Sequence, residues 1–187
     1  SRAQIDHALA TSSFLHDTLD FHDDYAILAG RQRIIDVRAR REQASQQLWH
    51  KAHHYGEWLA RLPFVRMVAL TGALAVRNAS DGDDDLDYVL VTAPGRVWIA
   101  RAFAIVLVRL AQRRGVIVCP NYVLAETALV QDRQDLFMAH EVVQMVPIFG
   151  LPLYEEMWAQ NDWLAAFLPN ASAPLHAEAE RIPGRGW

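Results

Sequence analysis

The apolar positions of this chain recur with a period that changes from segment to segment, and those changes mark out the elements. Leu48, Ala52, Tyr55, Leu59 and Leu62 follow one another at steps of 4, 3, 4 and 3. That spacing lays them along one face of a helix. A long helix over residues 31–62 is predicted, ended by Pro63. Next comes a short apolar run, Val65–Leu70, broken by Thr71 and Gly72, and a second run from Leu86 to Val91. Between them lie a short helical stretch and a loop carrying Asp81, Asp83, Asp84 and Asp85. The pattern is strand, glycine turn, short helix, acidic loop, strand. Ala93, Pro94 and Gly95 make a turn. Residues 96–114 are then apolar almost all round, so they should form a largely buried helix packed across the sheet and capped by Gly115. Residues 116–124 form a third strand, in which Pro120 demands an edge position or a bulge.

The two ends are less regular. Residues 2–11 fit a short helix. Two apolar runs, 14–21 and 25–28, flank the polar turn His22, Asp23 and Asp24 and predict a β-hairpin. A helix followed by a hairpin resembles the second half of a winged-helix module whose first half is missing; the alternative is a hairpin packed on the main domain. Toward the C-terminus a helix is expected over 132–147, with Phe137, Val142, Met145 and Val146 facing inward. Another is expected within 152–168, anchored by Trp158, Trp163 and Phe167. The Ala- and Pro-rich tail from Pro169 should be loosely held. The fold class is therefore α/β (α+β), a small mixed sheet of three to five strands with helices packed on one face. Residues 1–30 form a wing-like appendage and 31–187 the main domain.

Composition narrows the function. At 187 residues and 52% apolar the chain can bury a sizeable core. A net charge of −4 disfavours a protein that coats nucleic acid, although it leaves room for a local basic groove. The single Cys119 excludes an intramolecular disulfide framework and fits a reducing cytoplasm. No N-terminal secretion pattern is present. The most apolar window, 97–110, contains Arg101 and Arg109 and is too short for a membrane span.

The chemistry concentrates at Asp85 and Asp87. Residues at i and i+2 of a strand share a face, so the two carboxylates project together roughly 6–7 Å apart. Held so close they repel unless a cation lies between them. Hard cations such as Mg²⁺ or Mn²⁺ take oxygen ligands of this kind and share them with substrate phosphates. Asp87 falls inside the apolar strand, where an unpaired carboxylate is costly. Asp83 and Asp84 read as solubilising loop residues. Gly72 allows close backbone approach to a phosphate, and the turn after it can present N–H groups; a plain strand-to-helix glycine is the alternative. Arg96 and Arg101 begin the helix fed by the second strand, where they could grip phosphates or pair with the acidic loop. Arg38, Arg40 and Arg41 should lie in solvent, with phosphate binding as a minor alternative. His50, His53 and His54 sit on adjacent helical turns. No further metal ligand is marked by spacing, so a solvated or capping role is expected. His140 and Glu141 are a core pair or a base-contacting pair.

The order of these features resembles the signature of the DNA polymerase beta-like nucleotidyltransferase superfamily. In that signature an apolar strand is followed by Gly-Ser or Gly-Gly, about ten residues, then Asp-apolar-Asp-apolar. Here it reads Leu70-Thr71-Gly72-Ala73, a spacer, then Asp85-Leu86-Asp87-Tyr88. Ala73 departs from the pattern and removes a hydroxyl. The strings PGRVWIAR, CPNYVL and AHEVVQMVP resemble those of a bacterial subgroup of predicted nucleotidyltransferases, and the resemblance spans about residues 30–170.

The resemblance implies a Mg²⁺-dependent (or Mn²⁺-dependent) nucleotidyltransferase of the bacterial cytoplasm. It would move a nucleoside monophosphate from a triphosphate, with ATP expected, to a hydroxyl on a protein or small molecule. Asp85 and Asp87 would hold the metal, and Thr71, Gly72 and Ala73 the triphosphate. The family usually carries a third carboxylate on the strand beside the Asp pair; here Asn121 stands in that place. Glu126 is the nearest acid, but five residues away it has the opposite parity. The rival expectation is a catalytically weak or inactive member that binds a nucleotide or a partner in a regulatory role. No membrane partner is expected, and nucleic acid only through the wing-like part.

Overall fold

The computed structural model describes residues 2–23 and 25–171. The expected loose tail beyond residue 171, and Asp24 of the hairpin turn, lie outside the described residues. The chain opens with α1 (Arg2–Thr11) and α2 (Ser13–Thr18), then β1 (Leu19–His22) and β2 (Tyr25–Leu28), an antiparallel pair. The hairpin is thus shorter than its apolar pattern suggested. Residues 14–18 are helical because Ser12 caps them, its hydroxyl accepting from the Leu15 amide.

Next are α3 (Arg33–Ala60), β3 (Val65–Leu70), α4 (Gly72–Ala75), β4 (Leu86–Thr92), α5 (Val97–Gln112) and β5 (Val118–Ala125). The last described elements are α6 (Leu136–Gln144), β6 (Val146–Phe149), α7 (Leu151–Gln160) and α8 (Leu164–Phe167). The main sheet has the order β5-β4-β3-β6. β3 pairs antiparallel with β4 and β6, and β4 pairs parallel with β5. The result is a mixed α+β fold. No helix among the described residues is long and apolar enough to cross a membrane.

Helices cover both faces of the sheet, not one. Alternate residues of a strand face opposite ways, and β3 and β4 are apolar at nearly every position, so each strand feeds two cores. Val68, Leu70, Tyr88 and Leu90 pack against Leu48, Ala52 and Leu59 of α3 and Ala100 and Ala104 of α5. Met67, Ala69, Val89 and Val91 pack against Val142 of α6, Met157 of α7 and Leu164 of α8. Each fully buried aliphatic side chain contributes roughly 1.5–3 kcal/mol.

Two predicted helices needed correction. The 132–147 segment divides into α6 and the short edge strand β6, so Val146 is a strand residue and Phe137 lies 60% exposed on α6. The 152–168 segment breaks at Asn161, whose buried side chain ties the break to the Leu129–Gln131 loop. α5 has the expected length but is not largely buried. Its small residues Ala100, Ala104 and Ala111, with Leu107, lie against the core, while Trp98 is 83% exposed. Gly115 does terminate this helix, with a positive φ of 72°. Pro120 occupies an edge strand and also sits beside a bulge.

Candidate functional site

β4 sets the geometry. Leu86, Tyr88 and Leu90 point into the α3–α5 core, so Asp87 shares the opposite face with Val89 and Val91. Tyr88 anchors the strand from below by donating its hydroxyl proton to the Ala52 carbonyl at 2.7 Å. Where β3 ends, the Thr71 amide donates to the Asp87 carbonyl at 2.9 Å and brings the glycine turn alongside the Asp87 side chain. Gly72 has φ +67°, and a Cβ there would run into the Asp87 carboxylate. Only glycine satisfies both the backbone angle and the close approach.

β5 lies parallel to β4 with Cys119 opposite Asp87. The register then shifts: Tyr88 faces Pro120 and Val89 faces Tyr122, leaving Asn121 in the bulge. Asn121 Nδ2 donates to Asp87 Oδ1 at 2.5 Å. One ligand atom each of Asp85, Asp87 and Cys119 lies within 4.8 Å of the other two. Burial, together with the neighbouring charges of Asp85, Glu141 and Asp84, raises the Asp87 pKa to about 6, against the opposing Asn121 hydrogen bond. Burial and the Asp85 carboxylate likewise push the Cys119 thiol up to about 11. Two adjacent carboxylates suit a hard divalent cation, which keeps several waters and takes its remaining oxygens from a substrate. The thiol is a softer donor beside them.

On the α6 side of Asp87 is a cavity of about 360 Å³. Val89, Leu124, Met138, Val142, Met145 and Met157 form most of its wall. Its polar end is made by Thr71, Gly72, Asp87, Asn121 and Glu141. Glu141 is half-buried and accepts a hydrogen bond from the Gly72 amide; burial raises its pKa despite that bond and the neighbouring His140. None of the residues lining the cavity is Lys or Arg.

The structure gathers Thr71, Gly72, Asp87 and Asn121 around the cavity, with Asp85 beside Asp87. The other candidates lie elsewhere. Ala73 is exposed one residue further on, its carbonyl accepting from the Asn78 amide at 2.8 Å. Arg96 follows the far end of β4, which lies roughly 17 Å along the strand from Asp87, and Arg101 is exposed on α5. The Arg96 guanidinium lies over the Phe64 ring at 5.1 Å, and α5 covers the opposite face of the sheet from the cavity. After the turn at Ala93–Gly95, α5 runs back along the face of the sheet opposite the cavity, so neither arginine is brought to the Asp pair. Glu126 is also at that far end, its amide donating to the Thr92 carbonyl at 2.8 Å.

Arg38 and Arg41 are not free in solvent. Arg38 donates to the Arg77 carbonyl and pairs with Glu42, while Arg41 donates to Asn78 Oδ1 at 3.2 Å. They hold the loop after α4. Arg40 is exposed. Asp81 and Asp84 fold the acidic loop on itself by accepting from the Asp83 and Ser80 amides. His53 lies tilted against Trp49, and His54 meets Tyr55 edge-on and Trp58 at a tilt, along α3.

Sequence reasoning missed Cys119 as a member of this site and left Glu141 between a core and a base-contacting role. A signal for Cys119 was available, since it lies two residues from Asn121 on the same strand. Glu141 is one acid in an apolar helix, and nothing in its spacing ties it to Gly72. A scan against family models and searches of curated proteins and of solved structures found no match.

Proposed function

We propose that the protein is a divalent-metal-dependent nucleotidyltransferase. The observation that carries this reading is the Asp85/Asp87 pair set directly against the Gly72 turn, with β5 as the strand next to the pair. The order glycine turn, acidic strand, adjacent strand follows the pattern of the family the sequence resembles. Asp85 and Asp87 would hold Mg²⁺ or Mn²⁺, which when bound supplies the positive charge that stabilises the attacking and leaving oxygens. Asn121 fixes the Asp87 carboxylate through its amide. The exposed backbone beyond Gly72 would receive the triphosphate, and the cavity would receive the acceptor whose hydroxyl attacks the α-phosphorus. With no third carboxylate on β5, an amide and a thiol stand where a base would help, so transfer is slow.

The test is calorimetric titration of ATP and the other triphosphates with and without Mg²⁺. Asp85→Asn combined with Asp87→Asn should abolish metal-dependent binding in a protein with unchanged circular dichroism. Equal affinity in the variant and the wild type would refute the metal assignment.

A second reading has its own support. The Gly72 amide is occupied by Glu141, and the cavity lining carries no basic residue. Both features suit a module that binds its ligand without transferring anything. Pyrophosphate release on incubation with Mg²⁺, ATP and candidate acceptors separates the two readings.

A further inference from the structure

The cavity beside Asp87 has a chemical character of its own. Its volume, about 360 Å³, falls in the ~300–1,000 Å³ range of small-molecule sites. Its walls are aliphatic and thioether, and methionine adapts readily to the outline of a guest. Phe137 and Tyr122 add aromatic surface at its edge. Its charged groups are acids only, Asp87 and Glu141. Glu141 lies outside the Asp85–Asp87–Cys119 group, so a metal held there would leave it unclaimed. The Gly72 amide orients its carboxylate, yet no Lys or Arg of the lining neutralises it. The neighbouring His140 does not offset its burial; a half-buried carboxylate so placed is costly, and a guest bearing a positive charge would remove that cost.

We propose that this cavity binds a small monocation, an ammonium group on an aromatic or branched aliphatic body, with the ammonium on Glu141 and the body among the methionines. An anion is excluded by the two carboxylates, and a neutral isostere forfeits the charge-assisted hydrogen bond. Under the transferase reading, on which only this role rests, the cation is the part of the acceptor that fixes its orientation. The binding itself requires neither metal nor nucleotide.

The experiment uses phenethylamine, 2-phenylethanol and phenylacetate as probes, each titrated calorimetrically into the full chain near neutral pH with EDTA present. The amine should bind at least about tenfold more tightly than the alcohol, and the acid should not bind. Glu141→Gln should erase the amine's advantage while the alcohol binds as before, and Glu141→Asp should retain part of it. Val142→Trp, which fills the cavity, should abolish binding of amine and alcohol alike; circular dichroism of each variant verifies the fold. Three outcomes would overturn the proposal: alcohol or acid binding as tightly as the amine, amine binding indifferent to Glu141→Gln, or amine binding that survives Val142→Trp. Binding of adenosine in place of the amine would identify a nucleobase pocket and overturn it too. The titrations contain no triphosphate, so their failure is separate from failure of the Asp85/Asp87 test.

Discussion

Asp87 carries the local electrostatic cost of this fold. Its folded-state pKa of about 6 stands above the ordinary 3.8. Between those values the folded state holds a proton that the unfolded state has released, so stability falls as pH rises through that window. Above pH 6 the whole penalty is present; below 3.8 both states are protonated and it vanishes. Because the side chain is only half-buried, solvent screening reduces the penalty to about 1 kcal/mol. In EDTA, Asp87→Asn should therefore raise the melting temperature well above pH 6 and leave it unchanged near pH 4. Added Mg²⁺ should do the same for the wild type and nothing for the variant. A melting curve in which Asp87→Asn is equally stabilising at both pH values would show that its charge is not the cause. At this scale the pattern of alternating residues was informative. It placed Asp85 and Asp87 together, because strand parity is a local rule, whereas Asn121 was pointed to by the family resemblance and sits in a bulge that parity does not describe. It could not locate Arg96, whose direction depends on a turn, or Glu141, which arrives from a helix more than fifty residues away in sequence.

The elements most legible in the chain are those whose pattern and burial agree. The 4-3-4-3 face of α3 is the face that packs, and β3 and β4 follow their apolar runs. α5 was misjudged because hydrophobicity all round a helix predicts burial all round, whereas its contact face is made of alanines. The break between α7 and α8 left no periodic mark at all, since it rests on one side chain. Asn161 Oδ1 accepts from the Gln131 amide at 2.8 Å and from Trp163 Nε1 at 2.9 Å. Its Nδ2 donates to the Leu129 carbonyl at 2.9 Å and to the Met157 carbonyl at 2.6 Å. Asn161→Ala would strand buried donors and acceptors on three segments, at roughly 1–3 kcal/mol for each one left unsatisfied. A loss of about 3 kcal/mol in urea unfolding is expected. Gln131 and Met157 line the cavity, so probe binding should weaken as well. A loss below about 1 kcal/mol would mean that water replaces the side chain.

At the scale of the whole molecule, the N-terminal part stands apart from everything the sheet organises. Neither hydrophobic cluster contains a residue before Leu48. Ile27 is the one buried apolar side chain of the helices and hairpin described before α3, while Ile5, Phe14, Phe21 and Leu28 are each more than half exposed. From Ala3 to Gly30 the chain has no Lys or Arg and five Asp residues, a charge pattern that repels a phosphate backbone. The N-terminal helices and hairpin therefore lack the electrostatics of a nucleic-acid reader. Residues 1–31 can accordingly be removed without opening either core. A chain beginning at Gln32 should melt cooperatively within about 3 °C of the full-length protein, about the shift that a 1 kcal/mol loss would cause in a domain of this size. It should keep the same metal-dependent triphosphate titration, because Asp85, Asp87, Asn121 and the Gly72 turn all lie on or beside β3, β4 and β5. Hydrogen exchange on the intact chain gives the complementary readout: amides of α1, α2 and the hairpin should exchange by local opening, well before those of β3 and β4. A truncated chain that loses its cooperative transition, or hairpin amides protected as strongly as β4, would show instead that the N-terminal part holds the body together.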